Sequence, residues 1–422
     1  KPVVIINSEA GLREALVTKS NDFAGRPNSL RFGHIMQDLG EKDITFQDIS
    51  PQWSALKKCF VNALKVAGEN LEILEKLTRE HIDGMCDTFL SYKGKPFNPQ
   101  AHIHETISSI MFTILFGRNI SKESLDQLYE MQRDIFLMAT PLSNGIEIEA
   151  WPWLRYMNNP WYKVMKRGRA TVNAWVEREM GIWASDYDPA HPKCVFDNMK
   201  RMEGQSDYLN DNHLKALSVD TMVGGVGTTQ GSVACLLAVL GSYPEVQKKL
   251  QKEVDECLGS RAPSVTDKER LHYTQATVLE LMRILRVSGI AHKTMKDTSV
   301  CGIDLPAETE CWMLYWNLHH NEDYFGDSWG FNPDRFIDEN GKFLSAEHPT
   351  RRRVFPFGAG RRMCAGEQIA KNRLFLIIAM LMQRLTIQPP EGETLPSDPR
   401  EYSFALALIP PPHKIVALPR HT

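Results

Sequence analysis

No CxxC pair occurs among the eight cysteines of this 422-residue chain, which stand scattered at positions 59, 86, 194, 235, 257, 301, 311 and 364. That scatter excludes a disulfide scaffold and a closed zinc site, and leaves most of the thiols as small buried hydrophobes. Charge of one sign is also lacking. A formal net charge of -3 gives no global pull toward nucleic acid or anionic lipid, so any basic patch has to be argued locally. No uninterrupted apolar run approaches the roughly 18 to 20 residues that span a bilayer, and no signal-peptide pattern is visible. Internal repeats and low-complexity linkers are missing too. With 42% hydrophobic and 24% charged residues the composition is that of a folded globular protein, long enough for two or three domains or one large fold.

What is present is mostly helical. Apolar periodicity of the helical kind runs from about residue 50 to 290, broken at 93–100 (KGKPFNPQ) and 186–193 (DYDPAHPK). One long element is expected from near Asn212 to Leu240. After it, Ser242 and Pro244 read as capping and first-turn residues for EVQKKLQKEVDECL. Short alternating runs around Gly302 and Pro306, within 299–316, predict strands in a small sheet. Leu374, Ile378, Leu381 and Leu385 follow i, i+4, i+7, i+11 spacing, so a buried helix starts just past Cys364.

The chemistry gathers in FPFGAGRRMCAGE at 355–367. A cysteine where a helix begins faces unpaired backbone N–H groups and the positive end of the helix dipole, which stabilises its thiolate as a ligand or a nucleophile. A nucleophile would want a nearby base, and no signature of that kind surrounds Cys364. Gly358, Gly360 and Gly366 let backbone approach the sulfur, and Phe357 offers an apolar shield, as suits a metal-bound thiolate in a dry pocket. Arg362 could meet carboxylates of a cofactor.

Phe357, Gly360, Arg362, Cys364 and Gly366 fill every fixed position of FxxGxRxCxG, and in this the chain resembles the cytochrome P-450 family. Glu280, Leu281, Met282 and Arg283 look like the family's ExxR, and FNPDRF at 331–336 is similar to its PERF segment, with Asp334 in place of Glu. The resemblance implies a buried structural cluster of Glu280, Arg283 and Arg335, the first two being helix neighbours able to pair. Trp53 and Lys57 resemble WxxxR, whose members reach a haem propionate; Lys keeps the charge and loses the bidentate fork. His292 stands where microsomal animal members often place a propionate-binding His, whereas His319 and His320 read as structural. DFAGRP at 22–27 and NLHHNED at 317–323 look most like the microsomal animal clan, which contains steroid 17-hydroxylase and many xenobiotic hydroxylases.

That resemblance implies a mainly α fold with small β-sheets, a single catalytic domain over 1–422, and haem b between the long central helix and the helix after Cys364, the axial ligand. It also implies electrons from NADPH through a cytochrome reductase, with cytochrome b5 as a further partner and no nucleic acid. The location it implies is the cytoplasmic face of the endoplasmic reticulum membrane, with an anchor ahead of Lys1.

The long element carries MVGGVGTTQG at 222–231. Its glycines fit neither GxGxxG nor GxxxxGK[ST], and the helical context is wrong for a nucleotide loop. The stretch resembles [AG]Gx[DE]T[TS], with Thr228 as the catalytic hydroxyl, but Gly227 occupies the acid position, so relay through a carboxylate there is excluded. Three glycines, each costing about 1 kcal/mol in a helix interior, predict a local distortion. Asp220 lies about two turns, or 10 Å, earlier, near enough to touch substrate and too far to replace the acid. Arg286 stands in place of the family's Pro, and VSGIAHK looks short, which predicts an unusual pocket.

These features favour monooxygenation of a small apolar molecule, steroid-like, lipid or xenobiotic, with water or a substrate hydroxyl completing the relay to Thr228. Rivals are an isomerase, lyase or peroxygenase on the same fold, and a haem sensor or carrier. By family position, the pocket would use Asp220, Gly224, Gly225, Ile290, Ala291 and Phe404. Lys57, Lys58, Arg351, Arg352, Arg353, Arg361, Lys371 and Arg373 would form a docking face for an acidic electron donor. AWPWLRYMNNPWY at 150–162, flanked by Lys163, Lys166 and Arg167, suits a membrane interface.

Overall fold

A computed structural model of the chain describes residues 3–35, 43–69, 71–138, 144–203, 209–285, 289–404 and 408–420. Its axis is a helix of 32 residues, Asp211–Ser242, started by a capping box in which the Asn210 side chain accepts backbone N–H and His213 reaches back. Buried residues lie all round this helix, Leu214, Leu217, Met222, Val226 and Leu236 among them, as expected for an element enclosed by others. The three glycines do not break it. The predicted distortion is absent as an interruption of the helix, because tertiary packing outweighs the weak propensity of glycine. One of them is dictated by a neighbour: a Cβ on Gly225 would stand 2.7 Å from Met111 Cε in the helix Gln100–Phe116.

The same helix corrects the reading that nothing here could span a bilayer. Its length and composition would suffice, but 67% of its most apolar window is buried inside the protein, which marks a core helix. A smaller correction concerns its end. Ser242 closes the long helix instead of capping the next, since the Tyr243 N–H still bonds Val239 O at 2.8 Å; Pro244 does begin Pro244–Leu258.

The sheets are small. β1 (Val3–Ile6) and β2 (His292–Lys293) flank β5 (Glu310–Met313), parallel and antiparallel respectively, while β3 (Thr298–Val300) and β4 (Ile303–Leu305) form a hairpin. His292 is thereby fixed on the strand that enters the interior. The helix Glu367–Arg384 follows Cys364 and is buried continuously from Arg373 to Met382.

Behind that helix the Glu280 carboxylate is fully buried and fully used. Arg283 meets it in a fork, Nε to Oε2 at 2.7 Å and Nη2 to Oε1 at 2.8 Å, while Arg335 Nε and the Asn332 N–H reach Oε1 at 3.2 and 2.9 Å. Arg283 Nη1 donates to Ser328 O at 2.8 Å and to His319 O at 2.5 Å, so this charge ties four segments together. Asp334 stands outside the cluster, paired with Lys249 on the surface at 2.8 Å. Arg283→Ala should lower the unfolding free energy in a denaturant titration by about 3–5 kcal/mol, because it strands a buried carboxylate. Lys249→Ala should cost at most about 1 kcal/mol.

Candidate functional site

A cavity of about 390 Å³ opens between the long helix and the cysteine helix. Gly224, Gly225 and Thr228 line one side; Phe357, Cys364 and Ile369 line the other. The loop that presents Cys364 is pinned by its own backbone: the Cys364 N–H donates to Phe357 O at 3.0 Å, and Met363 N–H to Gly360 O at 3.2 Å. Gly360 has φ +67°, and a Cβ there would overlap the Leu16 carbonyl, so the turn demands glycine twice over. Gly366 then closes the loop as the N-terminal boundary residue of Glu367–Arg384.

One end of the cavity is cationic. Arg26, Lys57 and Arg362 converge there with Trp53 and His292. The Arg362 guanidinium lies 4.4 Å from the Trp53 ring centroid, and Lys57 Nζ 5.2 Å from it. Arg362 donates to the carbonyls of Ala24, Ile44 and Gln47, Lys57 to those of Arg361 and Met363 at 2.8 Å each, and Trp53 Nε1 to Ile44 O at 2.9 Å. His292 Nδ1 lies 2.7 Å from Phe23 O. Burial pushes Lys57 down to about 8, helped by the neighbouring Arg362, and lowers Arg26 to about 9 and Arg362 to about 10.

On the opposite wall Thr228 Oγ1 donates to Gly224 O at 2.6 Å and Thr229 Oγ1 to Gly225 O at 2.9 Å. A threonine bonded back in this way keeps its oxygen lone pairs for an incoming donor. Gly224 opens on the cavity; no atom would meet a Cβ there within 4 Å. Higher on the same helix, Asp220 Oδ2 accepts from the N–H groups of Ile44 and Thr45 at 2.7 and 3.2 Å. Burial, with Asp43 beside it, pushes Asp220 up to about 8, and Asp43 is raised as well.

Of the predicted pocket residues, Asp220, Gly224, Gly225 and Ile290 line the cavity. Ala291 does not; it directly precedes the strand His292–Lys293, and its carbonyl accepts from Arg26 Nη1 at 2.9 Å. Phe404 ends the strand Ser403–Phe404, but its side chain, like Arg286, lies outside the described residues. The basic surface also needs correction. Arg373, placed there by family position, is only 4% exposed and lines the cavity, since its helix turns it inward. Three residues escaped the sequence reading. Arg26 sits within the quoted DFAGRP, a usable signal; Asp43 has none, because its significance depends on Asp220, far along the chain; Arg373 was misassigned.

A family model described as cytochrome P450 matches residues 1–417. The chain belongs to the cytochrome P450 family. Among curated relatives, a steroid 17-alpha-hydroxylase/17,20 lyase of Rana dybowskii is 29% identical over 428 residues, covering 98% of this chain and 81% of the relative. Its counterpart in Mesocricetus auratus is 30% identical, covering 93% and 78%, and cytochrome P450 2D27 of the same species is 27% identical, covering 100% and 84%. A zebra fish cytochrome P450 solved with progesterone superposes with a TM-score of 0.84 at 24% identity, covering 98% of this chain and 93% of that one, which shows the fold.

As a family member the protein is a monooxygenase that uses haem b and takes electrons from NADPH through a reductase. The site fits that group: a thiol at a helix mouth on the floor, apolar walls, and three desolvated cations at one end to meet two propionates. One pH effect follows. Asp220, raised from its ordinary 3.8 to about 8, holds a proton in the folded state that the unfolded chain has released, so its contribution to stability is complete below pH 4 and lost as pH rises through 8. Thermal unfolding of Asp220→Asn beside the parent should therefore show the parent losing ground steadily between pH 4 and 8. A constant difference would contradict the assignment.

Proposed function

We propose that the protein hydroxylates a steroid or a similarly rigid apolar molecule, and that Cys364 would supply the thiolate that holds the haem iron. The observation that carries this reading is the single cavity lining that joins the thiol, the cationic end and an apolar upper wall of Ile44, Phe46, Phe60, Met111, Leu217 and Val223. Relatives named as steroid 17-alpha-hydroxylases support the substrate class. Bound haem supplies the activation of oxygen. Arg26, Lys57, Arg362, Trp53 and His292 would hold its propionates by charge and hydrogen bonds, and Phe357 would shield the sulfur from water.

Thr228 positions a water whose proton is needed on the oxygen side. With glycine at 227, that water draws on further water or on a substrate hydroxyl. Asp220, held neutral, fixes the 43–45 segment over the substrate. Gly224 leaves room for the guest beside Thr228, and Ile290 closes the pocket from the opposite side. Residues 1–422 work as one catalytic domain.

Two surfaces support the cellular setting. Trp151, Trp153 and Tyr156 are 57%, 56% and 75% exposed, a concentration of aromatic surface suited to the lipid headgroup level; Trp161 and Tyr162 pack against the core instead. This face rests on the cytoplasmic side of the endoplasmic reticulum membrane. On the thiolate side Lys58, Arg352 and Arg361 are exposed and receive the reductase, and cytochrome b5 by the same charge complementarity.

A panel of steroids, fatty acids and xenobiotics tests the substrate class by displacement of water from the iron, seen in the absorption spectrum, followed by turnover with NADPH and reductase. Steroids should bind and give hydroxylated product that depends on NADPH. Binding confined to other classes, or equal product from peroxide alone, would refute the reading. The double variant R352E/R361E should slow reduction by about tenfold or more at low salt with an unchanged haem spectrum.

A further inference from the structure

Arg373 carries a charge that the reaction as described does not use. It lies on Glu367–Arg384, and its Nη2 donates to Gly225 O at 2.8 Å and to Thr229 Oγ1, so it bridges the cysteine helix to the long helix on either side of Gly227 in sequence. Its Nε and Nη1 are buried without a hydrogen-bond partner. Among the described residues no carboxylate pairs with it, and it lines the same cavity as Cys364 and Thr228. Burial lowers its pKa to about 10, which leaves it charged at neutral pH. A charge without a counter-ion, removed from water, projects further than one on the surface and is little screened by salt.

The reduced iron carries one positive charge fewer than the oxidised iron, so a fixed cation nearby favours the reduced state. We propose that Arg373 is an electrostatic tuning residue: buried and paired with no carboxylate among the described residues, its guanidinium raises the reduction potential of the haem iron. The electron comes from the reductase, and no bond is made or broken. This rests on the cavity being the haem site, which the haem content and carbon monoxide spectrum of each variant check separately.

The experiment is a spectroelectrochemical titration of the haem-loaded parent, R373M, R373Q and R373K. Both neutral variants should show a lower midpoint potential than the parent at low and high salt alike, and R373K should restore it. The C–O stretch of their reduced carbon monoxide complexes should move to higher frequency. Equal potentials in all four proteins would overturn the proposal, as would an equal fall in R373K, which would implicate the hydrogen-bonding fork. Neutral variants that bind no haem would also overturn it, because a charge that only biases the iron is dispensable for holding the group. A parent without haem would sink the reading of the site instead.

Discussion

A cysteine held at the mouth of a buried helix, on a loop that has no room for a side chain at Gly360, is the constraint on which the rest of the structure depends. The loop is pinned by its own backbone, through Cys364 N–H to the Phe357 carbonyl and Met363 N–H to the Gly360 carbonyl, and at Gly360 it lies close against the Leu16 backbone. The Glu280–Arg283–Arg335 cluster reaches it through His319, whose carbonyl accepts from Arg283 and whose Nε2 accepts from the Phe355 N–H at 3.0 Å, while its other donors hold the carbonyls of the 325–330 turn. A thiol placed this way faces the amide groups of a helix start, where negative charge on sulfur is favoured.

Electrostatics divides the cavity. Desolvated cations gather at one end, where a dianionic cofactor edge would relieve them, and a pair of acids, Asp43 and Asp220, closes the other side of the same loop. The acids are raised by burial first, with the Asp43 charge adding to the shift of Asp220, and the cations are lowered because burial dominates their few anionic neighbours. Backbone carbonyls of residues 44, 45 and 47 accept from the arginines while backbone N–H groups of 44 and 45 donate to Asp220. A single short loop therefore mediates between cofactor edge and substrate pocket.

The parts legible in the sequence were those encoded locally. The Cys364 loop, Glu280 with Arg283, and the long apolar helix each announce themselves within ten or so residues, by fixed spacing or periodicity. Arg335 was placed correctly because its segment has its own pattern. What the sequence hides is what distant chain decides: Arg373, grouped with the basic surface by family position, turns inward once two helices pack, and Asp43 carries no signal without Asp220. The glycines of 224–227 predict a distorted helix, yet the helix runs on unbroken, with Met111 packed against Gly225 and Gly224 left open on the cavity.

The most direct measurement is the haem content and the absorption of the reduced, carbon monoxide-bound protein in the parent and in Cys364→Ala. The parent should bind haem and show the red-shifted band of a thiolate-ligated iron, and the variant should lose that band together with most of its haem. Identical spectra and haem content in the two proteins would contradict the account at its root.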